Sequence, residues 1–77
     1  ATTISYQLPV SSEIELTIYN LLGQQIQKLV NTRQTAGSYQ ILWDGRDDAG
    51  REVASGIYLY QLKAGKFVST RKMLLIQ

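Results

Sequence analysis

The sequence has no cysteine and no histidine among its 77 residues, and it has one proline and one methionine. Without cysteine there is no disulfide bond, and without either residue type the usual ligands of zinc and haem are missing. Nucleophilic catalysis by a Cys–His or Ser–His pair is excluded for the same reason. A cation bound by oxygen atoms, such as calcium, is the only metal this composition accommodates easily.

Long apolar runs are also missing. No stretch approaches the roughly 18 apolar residues of a membrane-spanning helix, and the first residues lack the basic region of a signal peptide. We therefore expect no membrane insertion. If the domain is exported, we expect the export signal on another part of a larger secreted protein, of which this chain is the C-terminal module.

The net charge of +2 is unevenly distributed. Residues 1–52 contain all six acids and four of the bases, which gives −2, whereas residues 53–77 contain four bases and no acid, which gives +4. These four bases are Lys63, Lys66, Arg71 and Lys72. Because they are spread over two alternating segments, they are typical of solvated strand faces and a protected sheet edge, and we expect no nucleic-acid partner.

Apolar and polar side chains alternate along most of the chain, which predicts β-strands. The predicted strands cover residues 4–8, 14–18, 26–30, 39–43, 57–62 and 67–76. The fifth is apolar at nearly every position, which predicts a central strand buried on both faces. Short strands, frequent turns and no long helix predict one all-β domain over residues 1–77, a small immunoglobulin/fibronectin-III-like antiparallel β-sandwich of about six to seven strands.

Three segments are less regular. In the third predicted strand the apolar positions are Ile26, Leu29 and Val30, and this break in the alternation indicates a β-bulge. A short helix over residues 21–30 is an alternative. Residues 31–37 are polar and predict a loop, and residues 44–55 form the longest irregular segment.

Three aspartates, Asp44, Asp47 and Asp48, lie in that irregular segment. They are candidates for a weak calcium site, although their spacing is not that of an EF-hand and Arg46 and Arg51 oppose a cation electrostatically. Catalysis by a pair of these carboxylates needs a substrate cleft, which we do not expect in so small a sandwich. Aspartates in loops also accept hydrogen bonds from nearby backbone N–H groups, and a structural role is our main interpretation.

The aromatic side chains raise the alternative of a sugar-stacking surface, as in an accessory carbohydrate-binding module of a glycosidase. Tyr6, Tyr39 and Trp43 occupy the apolar positions of their strands, which predicts core packing instead. The full aromatic set is Tyr6, Tyr19, Tyr39, Trp43, Tyr58, Tyr60 and Phe67.

Two segments carry a family resemblance: residues 43–50, with the sequence WDGRDDAG, and residues 53–58, with the sequence VASGIY. Together they resemble the signature of an Ig-like family named after the flagellar hook-capping protein, the FlgD-like family. Residues 3–9 (TISYQLP), 17–24 (TIYNLLGQ) and 71–76 (RKMLLI) are similar to type A C-terminal sorting domains of type IX (Por) secretion. The Asn-Pro-Phe element with which those domains begin is absent.

The sorting-domain resemblance implies a non-catalytic domain that directs a secreted bacterial protein through the outer membrane. We expect a monomer. The protein would reach the medium or the cell surface after passage through the periplasm. Its partners would be the outer-membrane secretion machinery and the upstream domains of the same protein. The implied recognition candidates are Gly56, Tyr58, Arg71 and Lys72.

Each of these candidates also has a structural interpretation. Gly56 allows a tight exit from the loop, Tyr58 fills the core, and the two basic residues discourage self-pairing of a last strand at a sheet edge. The resemblance to the hook-capping family implies an alternative function without sorting, that of a structural spacer or assembly module.

Overall fold

The computed structural model describes residues 2–76, which form an all-β sandwich. The described part of the chain contains six strands and no helix, so no helix in it is long and apolar enough to cross a membrane. The strands are β1 (Thr2–Leu8), β2 (Ser12–Tyr19), β3 (Gln25–Gln34), β4 (Gly37–Trp43), β5 (Gly56–Ala64) and β6 (Phe67–Leu75).

The strands form two antiparallel sheets of unequal width. One sheet has the two strands β1 and β4, and the other has four strands in the order β3-β2-β5-β6. All pairings are antiparallel, which confirms the predicted sandwich class. In the wider sheet β2 and β5 are central, while β3 and β6 are the edge strands.

The core lies between the two sheets. Ile4 and Leu8 of β1 pack with Ile14, Leu16 and Ile18 of β2, and all five are at most 4% exposed. These are the alternating positions that the sequence predicted. The remaining buried apolar residues are Tyr6, Val30, Trp43, Tyr58, Leu62 and Leu75.

The irregular apolar pattern of β3 reflects two bulges. Leu16 and Thr17 of β2 pair with Val30 and Lys28, which leaves Leu29 as an extra residue, and a second register shift leaves Ile26 unmatched. The predicted bulge is therefore confirmed, and the alternative of a helix over residues 21–30 is wrong.

Two predictions about strand extent or burial are wrong. Residues 31–34 do not begin a loop, because β3 continues to Gln34 and pairs with β2 along that length. They are polar because β3 is an edge strand whose outer end is exposed.

The fifth strand is central but is not buried on both faces: Tyr58 is 8% exposed, whereas its neighbour Ile57, on the opposite face, is 50% exposed.

Candidate functional site

The loop between β4 and β5, residues 44–55, starts from a buried tryptophan. The Trp43 side chain is fully buried, and its indole Nε1 donates a hydrogen bond to the Arg46 carbonyl at 3.0 Å. Its ring also meets the Tyr58 ring edge-on, with centroids 5.1 Å apart. A buried indole N–H needs a partner, and the turn after Trp43 provides one. The tryptophan of the family-like motif is therefore a core anchor for this loop.

Asp47 organises the middle of the loop. Its Oδ1 accepts hydrogen bonds from the backbone N–H groups of Ala49 and Arg51, both at 3.0 Å, and its Oδ2 is 3.2 Å from the Arg51 Nε. The hydrogen bond from the Arg51 backbone N–H is the main cause of a lowered pKa at Asp47, and the nearby guanidinium adds to it. The carboxylate therefore stays charged and is engaged within its own turn.

Asp48 joins the loop to the edge strand β3. Its Oδ1 accepts a hydrogen bond from the Lys28 backbone N–H at 3.1 Å, and its Oδ2 accepts one from Gln25 Nε2 at 2.9 Å. In return, the Asp48 N–H donates to the Ile26 carbonyl at 2.8 Å. Both backbone groups lie at the bulged part of β3, so the loop satisfies polar groups in the distorted part of the ladder.

The three aspartates do not converge. Asp44 accepts a hydrogen bond from the Arg46 N–H, and its carboxylate lies 3.8 Å from the guanidinium of the same arginine. Within residues 2–76 no group of three or more carboxylates is placed to hold a metal ion. Each aspartate has a structural hydrogen-bond role, as the main interpretation of the sequence expected. Calcium binding gains no support and stays a prediction.

Gly56 and Tyr58 close the other end of the loop. Gly56 has a φ of +151°, which side-chain-bearing residues rarely adopt, at the point where the chain enters β5. The Tyr58 hydroxyl donates to the Ala54 carbonyl at 2.6 Å. A tyrosine near the start of a strand that bonds back to the preceding turn is a known corner arrangement in Ig-like sandwiches. Both residues have clear structural roles, and their part in recognition stays a prediction.

Arg71 and Lys72 lie on the exposed edge strand β6, as the sequence predicted for the last strand. Because Arg71 pairs with Tyr60 and Lys72 with Leu59, the two side chains point to opposite faces of the sheet. Among the ion pairs of residues 2–76, none includes Lys63, Lys66, Arg71 or Lys72. Gly56 and Tyr58 lie on the neighbouring strand β5, opposite Leu75 and Met73, so the ladder brings all four candidates close together. They differ in their contacts, because the Tyr58 hydroxyl is bonded within the loop.

The aromatic side chains do not form a sugar-stacking row. Trp43, Tyr58 and Tyr6 are at most 9% exposed, and Tyr6 stacks on Tyr39 with centroids 5.4 Å apart. Of the seven aromatic residues only Phe67, at 61%, is strongly exposed. The carbohydrate-binding alternative therefore lacks the surface it requires.

Phe67 lies at a feature that the sequence did not reveal, a groove of about 860 Å³ between the two sheets. One wall is formed by β5 and β6 through Tyr60, Leu62, Phe67, Ser69 and Arg71, and the other by residues 5–7 of β1 and 38–40 of β4. The sequence signal that could have indicated the groove is an aromatic residue, Phe67, at a core-facing position of a strand that also carries Arg71 and Lys72. We call this feature the inter-sheet groove.

A second surface lies on the outer face of the wider sheet. Ile57 pairs with Leu74, and both are about half exposed, at 50% and 58%. Leu59 is next on the same face of β5 and pairs with Tyr19, and both are partly exposed. We call Tyr19, Ile57, Leu59 and Leu74 the outer apolar cluster.

These features define a class of protein: a small Ig-like β-sandwich whose motif residues stabilise a loop. The comparisons narrow this class. The model of the family described as "FlgD Ig-like domain" matches residues 1–66. The chain belongs to the FlgD Ig-like domain family.

A solved structure extends the comparison. The crystal structure of FlgD from P. aeruginosa is 27% identical in sequence and superposes with a TM-score of 0.74. The match covers 94% of this chain and 55% of the FlgD chain, so this chain spans about half the length of that protein. A search of curated proteins found no match.

Proposed function

We propose that this domain is a non-catalytic structural module that fixes the position of a neighbouring domain or subunit in an extracytoplasmic assembly. Membership of the FlgD Ig-like family, whose name comes from a hook-capping protein, supports an assembly role. The FlgD Ig-like domain is a non-enzymatic family, which fits a chain without histidine or cysteine. We further propose that the chain works as one module of a longer polypeptide, since it matches about half of the FlgD chain.

The observation that carries this proposal is the outer apolar cluster. Exposed apolar side chains are common singly, but neighbours that share one sheet face are typical of an interaction surface. Ile57 and Leu74 are directly opposite each other in the ladder. Leu21 and Leu22, exposed by 64% and 84%, lie in the turn that follows β2, at the same end of the sheet. A neighbouring domain seated there would remove all of this apolar surface from water.

Hydrogen exchange tests the proposal directly. The isolated domain is compared with the same domain inside its parent polypeptide or complex. We expect slower exchange of the amides around Ile57 and Leu74 in the larger protein, and loss of this slowing in the double variant Ile57→Ser/Leu74→Ser. The matched control is Leu42→Ser, an equally exposed leucine on the other sheet, at 63%. Equal exchange rates in the isolated and the larger protein would overturn the assembly function.

C-terminal sorting by type IX secretion is a second candidate function. The observation that favours it is the placement of the basic residues Arg71 and Lys72 on an edge strand, where a partner's strand can add to the sheet. The family supports the assembly function more directly, so sorting takes second place. On the sorting hypothesis, the recognition surface is β6 together with Gly56 and Tyr58.

A transfer experiment separates the two functions. Residues 1–77 are fused to an inert periplasmic reporter in a type IX-competent bacterium, with parallel fusions that lack residues 71–77 or carry Lys72→Ala. Reporter in the medium or on the cell surface, lost on the deletion, would support sorting. Folded reporter fusion retained in the periplasm would reject sorting and leave the assembly function.

A further inference from the structure

The narrow sheet of two strands covers only part of the wide sheet of four. A connection of only two residues, 35–36, keeps the start of β4 beside the end of β3. At the other side of the sandwich, the Thr2 hydroxyl of β1 donates to the Leu74 carbonyl of β6 at 3.1 Å. The narrow sheet therefore leaves the β6 side of the wide sheet open beyond this contact, and the inter-sheet groove lies there.

The wall of the groove is a core face without a cover. Phe67, Ser69 and Arg71 alternate with outward residues and share their face with Leu75, which is fully buried. Leu75 belongs to the core cluster, whereas Phe67 on the same face is 61% exposed. Removing an exposed phenylalanine ring from water is favourable, so an element that covered Phe67 would gain binding free energy from this contact.

The other side of the groove offers a free sheet edge. In the part of the chain that the structure describes, β1 pairs with β4 alone, over seven residues. Alternate residues of an antiparallel edge strand point their N–H and C=O groups away from the partner strand. An extended segment beside β1 would satisfy these groups. The next strand position in the narrow sheet lies about 4.8 Å from β1, on the side of β6. A segment there would face the core side of β6 at the distance of about 10 Å that separates packed sheets.

Charge identifies the kind of segment. Arg71 lines the groove and has no ion-pair partner among residues 2–76, and Lys66 stands in the turn beside Phe67. β1 itself, with the sequence TTISYQL, carries no charge. An acidic side chain facing into the groove would pair with Arg71, whereas a basic one would meet an unneutralised cation.

We propose that the inter-sheet groove binds an extended acidic segment of a neighbouring polypeptide, which adds to β1 as a third strand and covers Phe67. This inference deepens the proposed function, on which it rests, by naming the chemistry of an assembly partner. Its surface differs from the outer apolar cluster, which is on the opposite face of β5 and β6. A second copy of this chain fits the groove poorly, since its β1 would bring no acid to Arg71.

The probe is a capped seven-residue peptide, Val-Thr-Glu-Thr-Val-Thr-Val, equal in length to β1. It is titrated into the full chain and followed by backbone amide NMR. We expect shifts at Phe67, Ser69 and Arg71 and slowed exchange at alternate amides of β1. A peptide with lysine in place of glutamate should bind about three- to tenfold more weakly, and the difference should shrink in high salt. A peptide N-methylated at alternate positions loses the donors for the ladder and should not bind.

Two charge-reversal variants make the test specific. Arg71→Glu should reverse the preference, so that the lysine peptide binds more tightly than the glutamate peptide. Lys72→Glu changes the same charge at the next residue but on the outer face, and it should leave the preference for the glutamate peptide unchanged. Both sites are exposed, so both variants are expected to fold.

Four results would overturn the proposal. They are no binding of the glutamate peptide at millimolar concentration, slowed exchange along β6 in place of β1, equal effects of Arg71→Glu and Lys72→Glu, and concentration-dependent protection of β1 without peptide. The last would show that a second copy occupies the edge. None of these results alters the exchange comparison at Ile57 and Leu74, so the proposed function can fail or stand separately.

Discussion

The two edge strands of the wide sheet, β3 and β6, are protected in opposite ways. β3 is bulged twice, and the loop after β4 docks on its bulged part through Asp48. Its basic residues face glutamates of β2, with Lys28 3.7 Å from Glu15 and Arg33 3.9 Å from Glu13. Bulges and a covering loop are both features that discourage pairing with another chain.

β6 has none of these features. It pairs regularly with β5 over nine residues, and no bulge interrupts this pairing. Its bases form no ion pair among residues 2–76, and the core-facing Phe67 is exposed. The feature of β6 that discourages pairing with another chain is the positive charge of Arg71 and Lys72. This sandwich therefore covers its β3 edge with its own loop and leaves its β6 side exposed to solvent.

The largest expected effect is a difference in the free energy of unfolding between a variant of the buried Trp43 and a variant of the exposed Phe67. Trp43→Ala removes the fully buried ring that holds the loop, and we expect a loss of about 3–5 kcal/mol in the free energy of unfolding. Phe67→Ala on the β6 side should change it by about 0.5 kcal/mol or less. Urea unfolding followed by circular dichroism measures both losses. Tryptophan fluorescence is unsuitable, because Trp43 is the only tryptophan in the sequence and one variant removes it.

If Trp43→Ala has no folded baseline, Trp43→Phe provides a milder variant. It keeps an aromatic ring but loses the hydrogen bond to the Arg46 carbonyl. Equal losses for the Trp43 and Phe67 variants would contradict the comparison of a closed and an open side.

The next effect concerns the cover of β3. Asp48→Ala removes the acceptors of Lys28 N–H and Gln25 Nε2, and we expect a loss of about 1–2 kcal/mol. Hydrogen exchange at the Lys28 amide should become faster. Asp48→Asn is the matched control, because its amide oxygen can still accept the bond from Lys28. An unchanged Lys28 exchange rate in the alanine variant would show that the loop does not protect this edge.

A smaller effect concerns the loop closure by tyrosine. Tyr58→Phe deletes only the hydroxyl that donates to the Ala54 carbonyl, and we expect a loss of about 0.5–1.5 kcal/mol. Tyr60→Phe, two residues along the same face and partly exposed, should cost less than about 0.5 kcal/mol. Thermal unfolding of the two variants measures the difference. A larger loss of stability in Tyr60→Phe than in Tyr58→Phe would show that the hydroxyl at the groove, and not the one bonded to the loop, stabilises the fold.

The smallest expected effect is a pH dependence that belongs to the loop. The pKa of Asp47 is lowered in the folded protein, so its contribution to stability is present above its ordinary pKa of about 3.9. That contribution is lost as the pH falls through the lower, folded pKa. Asp47→Asn should therefore flatten the decline of stability between about pH 4 and pH 2 relative to the unchanged chain. Urea midpoints at several pH values test this, and an identical decline in both proteins would assign the effect to other carboxylates.

The sequence predicted the core because core burial follows local alternation. Ile4, Ile14, Leu16 and Ile18 occupy every second position of their strands, and all four are buried. The loop roles of the aspartates were also predictable, since an aspartate that accepts bonds from the next few N–H groups acts over a short stretch of chain. The partnership of Asp48 with Lys28, twenty residues away, was not.

The predictions that were wrong, or could not be made, depended on neighbours that are distant in sequence. A polar edge strand and a polar loop look alike along the chain, so residues 31–34 were assigned to a loop. An apolar strand such as β5 does not indicate which of its faces is covered, so Ile57 was expected to be buried. Likewise, the bond from the Tyr58 hydroxyl to the loop depends on how the chain folds back at Ala54, so the sequence grouped Tyr58 with the exposed Arg71 and Lys72.

Local sequence was enough to predict six strands, the core faces of β1 and β2 and the hydrogen bonds of aspartates within their own turn, because these follow from backbone geometry and side-chain polarity over a few residues. Tertiary structure alone decided that two strands face four, that one edge is closed by a loop, and that Phe67 lies in an open groove. The physical reason is that a strand face is buried only where another part of the protein packs against it, and that part is formed by residues far away along the chain.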